Sequence, residues 1–404
     1  MGYKILILDT GKEWGGGTVS LLELLKRIDK NKFSFIALFY HNYNKGNESD
    51  IQKEIEKLGI KFILLPQKSK SIKIKIIKES FRVLFFFSKW LRKYAIFWVD
   101  YFSRIKPNAK VIAQIIKDLN IDLIYMNNQP ITNLEGILAA KIAGVPAVLH
   151  CRIIPNLNQY LVKQTNIWVK KIICVSDNLR TFLVKRGIFP EKCVVVYNGI
   201  DVTFNPIKSP KEIKEELKIS EKEIIIGTVG TLCKRKRIDD LIEAFFLVKK
   251  RTTKPIKLVI VGDGPEKVKL LKLVQKKGLG EEVIFTGFQS DPLSYINVFD
   301  IFVLTSEREG LPRVILESML MGKPVVASRI PGVVELVIEG ETGFLVPSKD
   351  PEAFAEKILT LIDDQELRKK MGEQGKKRIL ENFTMDKYIK GVEAVFEEVL
   401  EKKA

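Results

Sequence analysis

Short apolar segments alternate with longer segments of helical periodicity along the whole chain, and this alternation limits the possible folds more than any other feature. It predicts βα units, in which parallel strands are covered by helices on both faces. Residues 203–210, with two prolines and little periodicity, read as a linker between two similar halves. The length of 404 residues suits two or three domains with sizeable cores. The candidate strands are residues 4–9, 33–39, 122–126, 147–150 and 172–175 in the first half and 224–229, 258–261, 283–286, 301–304 and 324–327 in the second.

Two glutamates, Glu309 and Glu317, stand eight positions apart across the start of a predicted helix. Pro312 suits the first helical turn, where a missing N–H costs nothing, and the helix carries Glu317 back toward Glu309. The free amides of Gly310 and Leu311 form an anion site. Phosphate-binding amides between two carboxylates suit a nucleotide sugar. The alternative is a capped surface helix with two solvated acids.

The surrounding sequence favours the first interpretation. A buried strand at residues 299–305 leads into the motif, the next strand follows at 322–328, and a further helix begins at 331–336. In such an architecture, ligands bind at the carboxyl ends of parallel strands. The chain resembles family 4 glycosyltransferases of the GT-B class, whose signature is a Glu, seven residues and a second Glu. The resemblance covers residues 227–230, 261–265, 283–288 and the glutamate motif up to Pro347 and, more faintly, the N-terminal half.

This resemblance implies the GT-B fold, an α/β architecture of two doubly wound Rossmann-like domains with a cleft between them. Residues 1–204 would bind the acceptor, and residues 205–384 would bind the nucleotide sugar. A helix at residues 385–404 would return to the N-terminal domain. The family retains the anomeric configuration without a well-placed enzyme nucleophile, so the resemblance implies no covalent intermediate. Domain closure would exclude water and limit hydrolysis of the donor.

Two catalytic residues follow from the resemblance, His150 and Glu309. His150 ends a predicted strand, which places it at the cleft, and the family's cleft histidine contacts the donor near the reacting sugar. Glu309 would orient the donor sugar through its hydroxyls, and Glu317 would hold the ribose. A lone histidine is otherwise a structural residue. Glu335 is either a cleft carboxylate or an ordinary helix-stabilising acid, and we favour the second interpretation.

Glycines follow the first strand and precede a predicted helix at residues 19–27. Gly16 and Gly17 would let backbone amides approach an anion closely. In the family this loop lies at the cleft and contacts the diphosphate or the acceptor, so both glycines are candidates for donor binding. The alternative is a plain tight turn.

A run of four cations follows the first strand of the second half. Lys236 matches the family lysine, which would neutralise the departing diphosphate. The family arginine is replaced by Thr231, and Arg237 stands where the family has glycine. We expect Arg235 to supply the missing cation. The alternative is a solvated charge run.

Few residues are suited to a metal or a cofactor. The chain has two histidines, four scattered cysteines without a CxxC pair and no Asp-x-Asp pair. A metal-bridged diphosphate is therefore not expected, and the cysteines are interpreted as buried thiols. The resemblance implies a UDP- or GDP-sugar as donor substrate, with no metal and no other cofactor.

A basic aromatic segment, residues 68–105, lies in the first half. Residues 61–110 contain thirteen Lys or Arg and two acids, a net +11 in a chain of net +18. On one continuous helix its cations, Arg104 included, form a narrow stripe opposite a broad aromatic face, which is typical of a helix in a membrane interface. A helix packed into the core is the alternative, and nucleic acid is disfavoured because the aromatics share one helical face. The membrane-binding candidates are Arg82, Lys89, Trp90, Arg92, Lys93 and Trp98.

Together these features predict a retaining glycosyltransferase that is cytoplasmic and peripheral on the inner face of the cell membrane. Its partners would be a nucleotide sugar, an anionic membrane surface and a lipid-linked or glycolipid acceptor of envelope polysaccharide, with no nucleic acid. No signal peptide is expected, since residues 3–8 run straight into the first strand, and no uncharged apolar run is long enough to cross a membrane. The alternatives are a soluble glycosyltransferase with a small or polymeric acceptor, a catalytically silent membrane adaptor that binds nucleotide sugar, and a sugar-nucleotide epimerase.

Overall fold

Two parallel β-sheets with helices on both faces form the protein. The computed structural model describes residues 2–11, 14–45, 49–65, 72–203 and 205–401. Within these residues the N-terminal sheet has seven strands, and a short antiparallel hairpin lies beside it. The strands of this sheet are β1 (Tyr3–Asp9), β2 (Phe33–Phe39), β5 (Lys61–Leu64), β6 (Leu123–Met126), β7 (Ala147–Cys151), β8 (Lys171–Cys174) and β9 (Cys193–Val195), and the hairpin is β3 (Asn44–Lys45) with β4 (Ser49–Asp50).

The C-terminal sheet has six strands in the described part of the chain. All pairings within each of the two large sheets are parallel. The C-terminal strands are β10 (Ile224–Val229), β11 (Ile256–Val261), β12 (Val283–Gly287), β13 (Ile301–Leu304), β14 (Val325–Ser328) and β15 (Gly343–Val346).

The strand order reverses next to the first strand of each sheet. The N-terminal order is β5-β2-β1-β6-β7-β8-β9, and the C-terminal order is β12-β11-β10-β13-β14-β15. Such a reversal leaves a crevice at the carboxyl ends of the strands, where open α/β sheets bind ligands. The predicted doubly wound α/β architecture is confirmed, and the turn and short strand predicted at residues 340–346 contain β15. Strands β5 and β9 are absent from the predicted strands.

Helices connect the strands and cover both faces of each sheet. They are α1 (Gly16–Arg27), α2 (Ile51–Glu56), α3 (Ile72–Leu84), α4 (Lys89–Asp100), α5 (Lys106–Asp118), α6 (Leu134–Ala143), α7 (Gln159–Trp168), α8 (Asp177–Lys185), α9 (Pro210–Leu217), α10 (Ile238–Arg251), α11 (Lys267–Lys277), α12 (Pro292–Val298), α13 (Arg313–Leu320), α14 (Pro351–Asp363), α15 (Gln365–Asn382) and α16 (Met385–Glu401), with a π-helical turn at Tyr101–Ile105.

The apolar runs of the strands follow from this layering. In β1, Ile5 and Ile7 join one core cluster while Leu6 and Leu8 join another. Successive side chains of a strand point to opposite faces of the sheet. Because helices cover both faces, both sets of positions are apolar, and the strand is a continuous hydrophobic run instead of an alternating one.

The C-terminal helix α16 packs against the N-terminal sheet. The chain crosses between the halves where Ile200 N–H donates to the Phe383 carbonyl at 2.9 Å and Met385 N–H donates to the Ile200 carbonyl at 2.9 Å. Phe396 then meets Tyr125 of β6 with ring centroids 5.1 Å apart. The domain limits at 204/205 and 384/385 stay predictions, and residues 204 and 402–404 lie outside the described part of the chain.

The prediction of a helix at residues 331–336 is wrong. These residues form consecutive turns. Gly332 has φ +83°, and a Cβ atom there would lie 1.6 Å from the Gly310 carbonyl oxygen. This backbone approach, which only glycine permits, presses the turn against the start of the glutamate motif and prevents a regular helix.

Candidate functional site

The glutamate motif lies where the two halves touch. Gly310 packs on the N-terminal half so closely that a Cβ atom there would be 1.7 Å from the Arg152 carbonyl oxygen. Asn198 Nδ2 donates to the Leu311 carbonyl at 3.1 Å. Helix α13 begins directly after Pro312, which serves as its N-cap. The contact places the backbone of Gly310 and Leu311 at the crevice between the sheets.

Glu309 forms ion pairs with two cationic side chains of the C-terminal half. Its Oε1 atom lies 2.8 Å from Lys236 Nζ and 2.9 Å from Arg235 Nη1. Burial favours the neutral acid, but the two cations outweigh it and lower the pKa of Glu309. Glu309 is therefore ionised at neutral pH, and the cluster has an excess of one positive charge.

The cation loop owes its shape to a residue in an unusual conformation. Arg237 has φ +51° and so adopts the left-handed conformation that a glycine reaches without strain. This is the position where the resemblance leads us to expect glycine. Its guanidinium is held by Asp240, with Nη2–Oδ1 2.6 Å apart, and Thr305 Oγ1 donates to the Lys236 and Arg237 carbonyls. The loop thus places Lys236 and Arg235 beside Glu309, although Arg237 stands where the family has glycine.

Glu317 lies beside an arginine that the sequence interpretation missed. Arg313 Nε is 3.8 Å from Glu317 Oε1, and Arg313 Nη1 donates to the Gly199 carbonyl at 3.0 Å. Burial raises the pKa of Glu317, and Arg313 only partly offsets this effect. The sequence could have revealed this contact, because Arg313 lies inside the glutamate motif, four positions before Glu317 and on the same face of the helix.

His150 is completely buried at the end of β7. Its Nδ1 atom lies 2.6 Å from the Tyr125 hydroxyl and 3.4 Å from Arg152 Nη2. A guanidinium can only donate, so Nδ1 is the acceptor and Nε2 carries the proton. Nε2 has no hydrogen-bond partner in the described part of the chain. Burial and then the Arg152 charge lower the pKa of His150 well below its usual value, so the ring is neutral.

Arg152 links His150 to the rest of the N-terminal half. Only 8% of the residue is exposed. Its Nε donates to Asn127 Oδ1 at 2.8 Å, and Nη1 donates to Asn198 Oδ1 at 3.2 Å. Asn127 in turn donates to Asp9, whose pKa is raised by burial. The sequence interpretation noted Arg152 only as a neighbour of His150.

The glycine loop lies against two arginines. Helix α1 begins at Gly16, three residues earlier than predicted. A Cβ atom on Gly16 would lie 3.7 Å from Arg313 Cδ, and one on Gly17 would lie 3.0 Å from Arg152 Cδ. The structure thus brings Gly16 and Gly17 to the side chains around His150 and Glu317. Whether the glycines contact a donor stays a prediction.

Glu335 has a role that the sequence interpretation did not foresee. Its carboxylate accepts from the backbone N–H of Asp177 at 2.7 Å and of Asn178 at 2.9 Å, and from Asn178 Nδ2 at 2.8 Å. A C-terminal-half side chain therefore caps the first turn of α8 in the N-terminal half. The prediction that Glu335 stabilises its own helix is wrong. Glu335 lies on a turn, and its hydrogen-bond partners belong to α8 of the N-terminal half.

The basic aromatic segment is not one continuous helix. Helix α3 ends at Leu84, α4 begins after Ser88, and a π-helical turn follows at Tyr101–Ile105. The stripe expected from a single helical wheel over residues 82–104 is therefore wrong, because each break changes the angular relation between the parts. Residues 68–71 of the segment lie outside the described residues.

The described part of this segment leaves large side chains uncovered. Neither α3 nor α4 has a buried residue. Phe86 is 79% exposed and Trp90 is 69% exposed. Lys89, Arg92 and Lys93 form no ion pair with any described residue. Eight further large apolar residues of this region are exposed: Ile72, Ile76, Ile77, Val83, Leu84, Phe87, Tyr94 and Phe102.

Other members of the segment face the protein. Trp98 is half-buried and packs on Tyr160 of α7, with ring centroids 5.3 Å apart. Arg104 pairs with the buried Glu135 of α6. Arg82, by contrast, is exposed and pairs with Glu79 of its own helix α3. The segment thus combines an inner edge, which docks on α6 and α7, with an outer edge that carries Trp90 and the α4 cations.

Neither a metal cluster nor a spanning helix occurs in the described ranges. Among those residues no group of three or more His, Cys, Asp or Glu side chains could hold a metal ion. Within the same ranges, every helix is too short or too polar to cross a membrane.

Two Rossmann-like halves with a crevice between them, and acids, cations and free amides at that crevice, define the GT-B class of glycosyltransferases. The family model described as Glycosyltransferase Family 4 matches residues 14–204, and the one described as Glycosyl transferases group 1 matches residues 209–378. The chain belongs to family 4 of the glycosyltransferases and is an enzyme of that kind. The family resemblance seen in the sequence is confirmed.

Known proteins resemble the chain over most of its length. Over 309 residues it is 29% identical to N-acetyl-alpha-D-glucosaminyl L-malate synthase of Bacillus anthracis, covering 72% of this chain and 78% of that protein. Over 320 residues it is 26% identical to UDP-Gal:alpha-D-GlcNAc-diphosphoundecaprenol alpha-1,3-galactosyltransferase of Escherichia coli, covering 74% and 82%. The crystal structure of Anabaena HepE in complex with UDP and glucose superposes with a TM-score of 0.78 at 21% identity, covering 98% of this chain and 100% of that one. This likeness confirms the GT-B fold.

Proposed function

We propose that the protein transfers a sugar, with retention of configuration, from a UDP- or GDP-sugar to a lipid-linked or glycolipid acceptor at the inner face of the cell membrane. The acceptor would be an intermediate of envelope polysaccharide or another glycoconjugate. The observation that carries the proposal is the Glu309–Lys236–Arg235 cluster beside the amides of Gly310 and Leu311. Acid, cations and amides together match the parts of a nucleotide sugar.

The charge of this cluster supports donor binding without a metal. One carboxylate faces two cations, so a diphosphate is attracted to the remaining positive charge. When the donor binds, Glu309 would turn to the sugar hydroxyls, and Lys236 and Arg235 would both become available to the phosphates. They would stabilise the departing diphosphate in a site from which water is excluded. Gly310 and Leu311 would add fixed N–H donors to the same oxygens.

The remaining site residues would orient the two substrates. Glu317 would hold the ribose by accepting hydrogen bonds from its hydroxyls. His150 would offer the proton on Nε2 to a hydroxyl of the transferred sugar. The family resemblance supports retention, and we assign no covalent intermediate.

Two observations support the lipid-linked acceptor and the membrane location. The Escherichia coli relative is named for a diphosphoundecaprenol acceptor, and another relative, 28% identical, is named as the capsular polysaccharide glycosyltransferase CapM of Staphylococcus aureus. The outer edge of the basic aromatic segment exposes aromatic side chains next to cations that pair with no acid in the described part of the chain, a composition suited to the interface of an anionic bilayer. A small acceptor is the second candidate, because the Bacillus anthracis relative is named for L-malate.

The proposal is tested by thermal shift with UDP, GDP and ADP and their sugars. We expect one nucleotide to raise the melting temperature by several degrees. Lys236→Met and Glu317→Ala should each remove most of that shift, while Glu341→Ala, which changes an exposed acid on a turn, should keep it. If none of the nucleotides stabilises the wild type, the donor assignment is wrong and a silent adaptor becomes the better interpretation.

The acceptor class is tested separately, by transfer of radiolabelled sugar from the donor so identified. Lipid extracts and water-soluble acids such as L-malate would be offered in parallel. Label that moves into the organic phase supports the lipid-linked acceptor. Label found only in the water-soluble product would replace it with the small acceptor.

A further inference from the structure

The side chain of Glu335 crosses from the C-terminal half to the N-terminal half and binds the first turn of α8. Its Oε2 atom accepts from the Asp177 N–H at 2.7 Å, and its Oε1 atom accepts from the N–H and the Nδ2 of Asn178 at 2.9 and 2.8 Å. Burial, and after it the charge of Glu335, raises the pKa of Tyr197 in the N-terminal half to about 12. Both carboxylate oxygens are thus used in contacts between the halves.

Helix α8 depends on this contact because its own cap leaves two amides without a partner. The N-cap Ser176 accepts from the N–H of Leu179, and the N–H groups of a first helical turn have no partner within the helix. Asp177 carries a like charge beside Glu335, but that charge is paired with Arg180. Glu335 therefore supplies the acceptors for this turn, and its negative charge lies at the positive end of the helix dipole.

The turn that carries Glu335 is fixed firmly to the C-terminal half. Arg378 of α15 donates from Nη2 to the Glu335 carbonyl at 2.7 Å and from Nε to the Leu336 carbonyl at 2.9 Å. Val333 and Leu336 of the same turn are fully buried. Because the backbone of Glu335 is held in this way, its side chain joins α8 to the packed core of the C-terminal half and not to a loose loop.

The same turn packs on the glutamate motif. A Cβ atom on Gly332 would lie 1.6 Å from the Gly310 carbonyl oxygen, and one on Gly310 would lie 1.7 Å from the Arg152 carbonyl oxygen. The backbone at Gly310 is therefore enclosed between the turn and the end of β7, two positions after His150. The contact of Glu335 with α8 ties together the two segments that enclose the motif.

We propose that Glu335 is a positioning residue, which holds the two halves together so that His150 and Glu309 face the same sugar. His150 belongs to the N-terminal half and Glu309 to the C-terminal half, so transfer depends on how the halves meet. The roles of His150 and Glu309 rest on the proposed function, whereas the contact between Glu335 and α8 rests only on the distances above. Glu335 itself touches neither substrate.

The contact is tested by amide hydrogen exchange of the full chain, followed by mass spectrometry. The amides of Asp177 and Asn178 should exchange about tenfold faster in Glu335→Gln than in the wild type, because a side-chain amide has only one acceptor oxygen. Glu335→Asp, which keeps the charge on a shorter side chain, should give an intermediate rate. Glu339→Gln is the matched control, since Glu339 pairs with Arg329 within the C-terminal half, and it should leave exchange in α8 unchanged.

The positioning role is tested by the kinetics of sugar transfer, with the donor and the acceptor identified by the experiments above. Glu335→Gln should lower kcat about tenfold and change nucleotide affinity by less than about threefold, because the glutamate motif and the cation loop both lie in the C-terminal half. The share of donor that is lost to hydrolysis should rise, since a crevice whose halves separate admits water. Glu335→Asp should recover part of both effects.

Three results would contradict this role. Unchanged exchange at α8 in Glu335→Gln would show that the contact does not form in solution. Faster exchange with unchanged kcat and unchanged hydrolysis would reduce Glu335 to a helix cap. A fall in nucleotide affinity as large as the fall in kcat would mean that Glu335 serves the donor directly.

Failure of the donor proposal can be recognised separately. If no nucleotide binds the wild type, small-angle X-ray scattering of the nucleotide-free protein decides whether Glu335 holds the halves together. A larger radius of gyration in Glu335→Gln than in the wild type and in Glu339→Gln would support this role, since the halves then separate without any donor. Equal radii in the three proteins would overturn it.

Discussion

Helix α16 and the α3–α4 region are both amphipathic and both belong to the N-terminal half, yet they differ completely in what covers them. Helix α16 buries most of its apolar face against β6, β8 and α1, with Phe396 fully buried. Helices α3 and α4 bury no residue, and large side chains such as Trp90 face outward. An apolar face on a helix therefore predicts that something covers it, without saying whether the cover is protein or another surface.

The contrast also separates stability from binding. Contacts of α16 reach the candidate site, because Tyr388 accepts from Arg152 Nη2 at 3.3 Å and its ring lies 6.1 Å from His150. The outer edge of α4 reaches no site residue. Changes in α16 should therefore alter the free energy of unfolding, while changes in α4 should alter association with an external surface.

The largest expected effect comes from removing a ring from each region. Phe396→Ala should lower the free energy of unfolding by about 3–5 kcal/mol, because a buried aromatic leaves a cavity. Phe86→Ala, which removes the same ring from an exposed position, should change it by less than about 0.5 kcal/mol. Urea unfolding followed by tryptophan fluorescence measures both. A large loss in Phe86→Ala would mean that this surface is already covered by protein in solution.

The α4 cations give the next largest effect, on vesicle binding. Each lysine or arginine near an anionic bilayer contributes about 1 kcal/mol. Changing Lys89, Arg92 and Lys93 together to glutamine should thus weaken binding to phosphatidylglycerol vesicles by about 3 kcal/mol, roughly a hundredfold. Co-sedimentation with vesicles of increasing anionic lipid content measures the loss.

A matched triple variant on the other half controls for net charge. Lys269, Lys272 and Lys276 are exposed on α11, and changing them to glutamine should weaken vesicle binding much less. Equal losses in the two variants would show that binding follows total charge, and the membrane role of α4 would be wrong.

The third effect concerns His150, which α16 helps to bury. Its pKa in the folded protein lies well below the value near 6.5 of an unfolded chain. Its contribution to stability is therefore fully present above pH 6.5 and is lost as the pH falls from there toward the folded pKa. The loss approaches about 1.4 kcal/mol per pH unit. His150→Gln should flatten the fall in stability between pH 6.5 and 5, as measured by urea unfolding at each pH, and His41→Gln should not. Identical slopes for wild type and His150→Gln would contradict the burial of a neutral ring.

The smallest effect comes from one hydroxyl in each region. Tyr388→Phe removes the acceptor of Arg152 Nη2 and should cost about 1 kcal/mol of unfolding free energy. Tyr94→Phe on α4, where the side chain is exposed, should cost nothing measurable. If the two variants behave alike, the Arg152–Tyr388 hydrogen bond contributes little, and α16 is coupled to the site by packing alone.

Local features of the sequence predicted much of the fold and part of the site. Most strands could be placed, because buried parallel strands are continuous apolar runs bounded by polar turns. Glu309 and Lys236 could be named from short motifs. The two side chains are 2.8 Å apart. Lys236 follows β10 and Glu309 follows β13, and the doubly wound topology makes these two strands neighbours, so the loops after them meet.

Features that depend on distant segments escaped prediction. A helical wheel assumes one unbroken helix, so it placed the cations of residues 82–104 on a common stripe and missed the breaks at Phe85–Ser88 and at the π-helical turn. Trp98 and Arg104 then turned out to face Tyr160 and Glu135. Glu335 looked like any acid near a glycine, since nothing local reveals that the start of α8 lies opposite.

The sequence by itself determined the α/β class, the two halves and the glutamate motif with its cation loop, because each depends on spacing within a few residues or on burial of both faces of a strand. Only the tertiary structure decided that Arg313 reaches Gly16 and Gly199, that Arg152 packs on Gly17 under Gly310, and that α16 is covered while the outer edge of α4 is not. These contacts join residues more than a hundred positions apart. Their geometry depends on how the two sheets meet, and no local pattern in the chain encodes it.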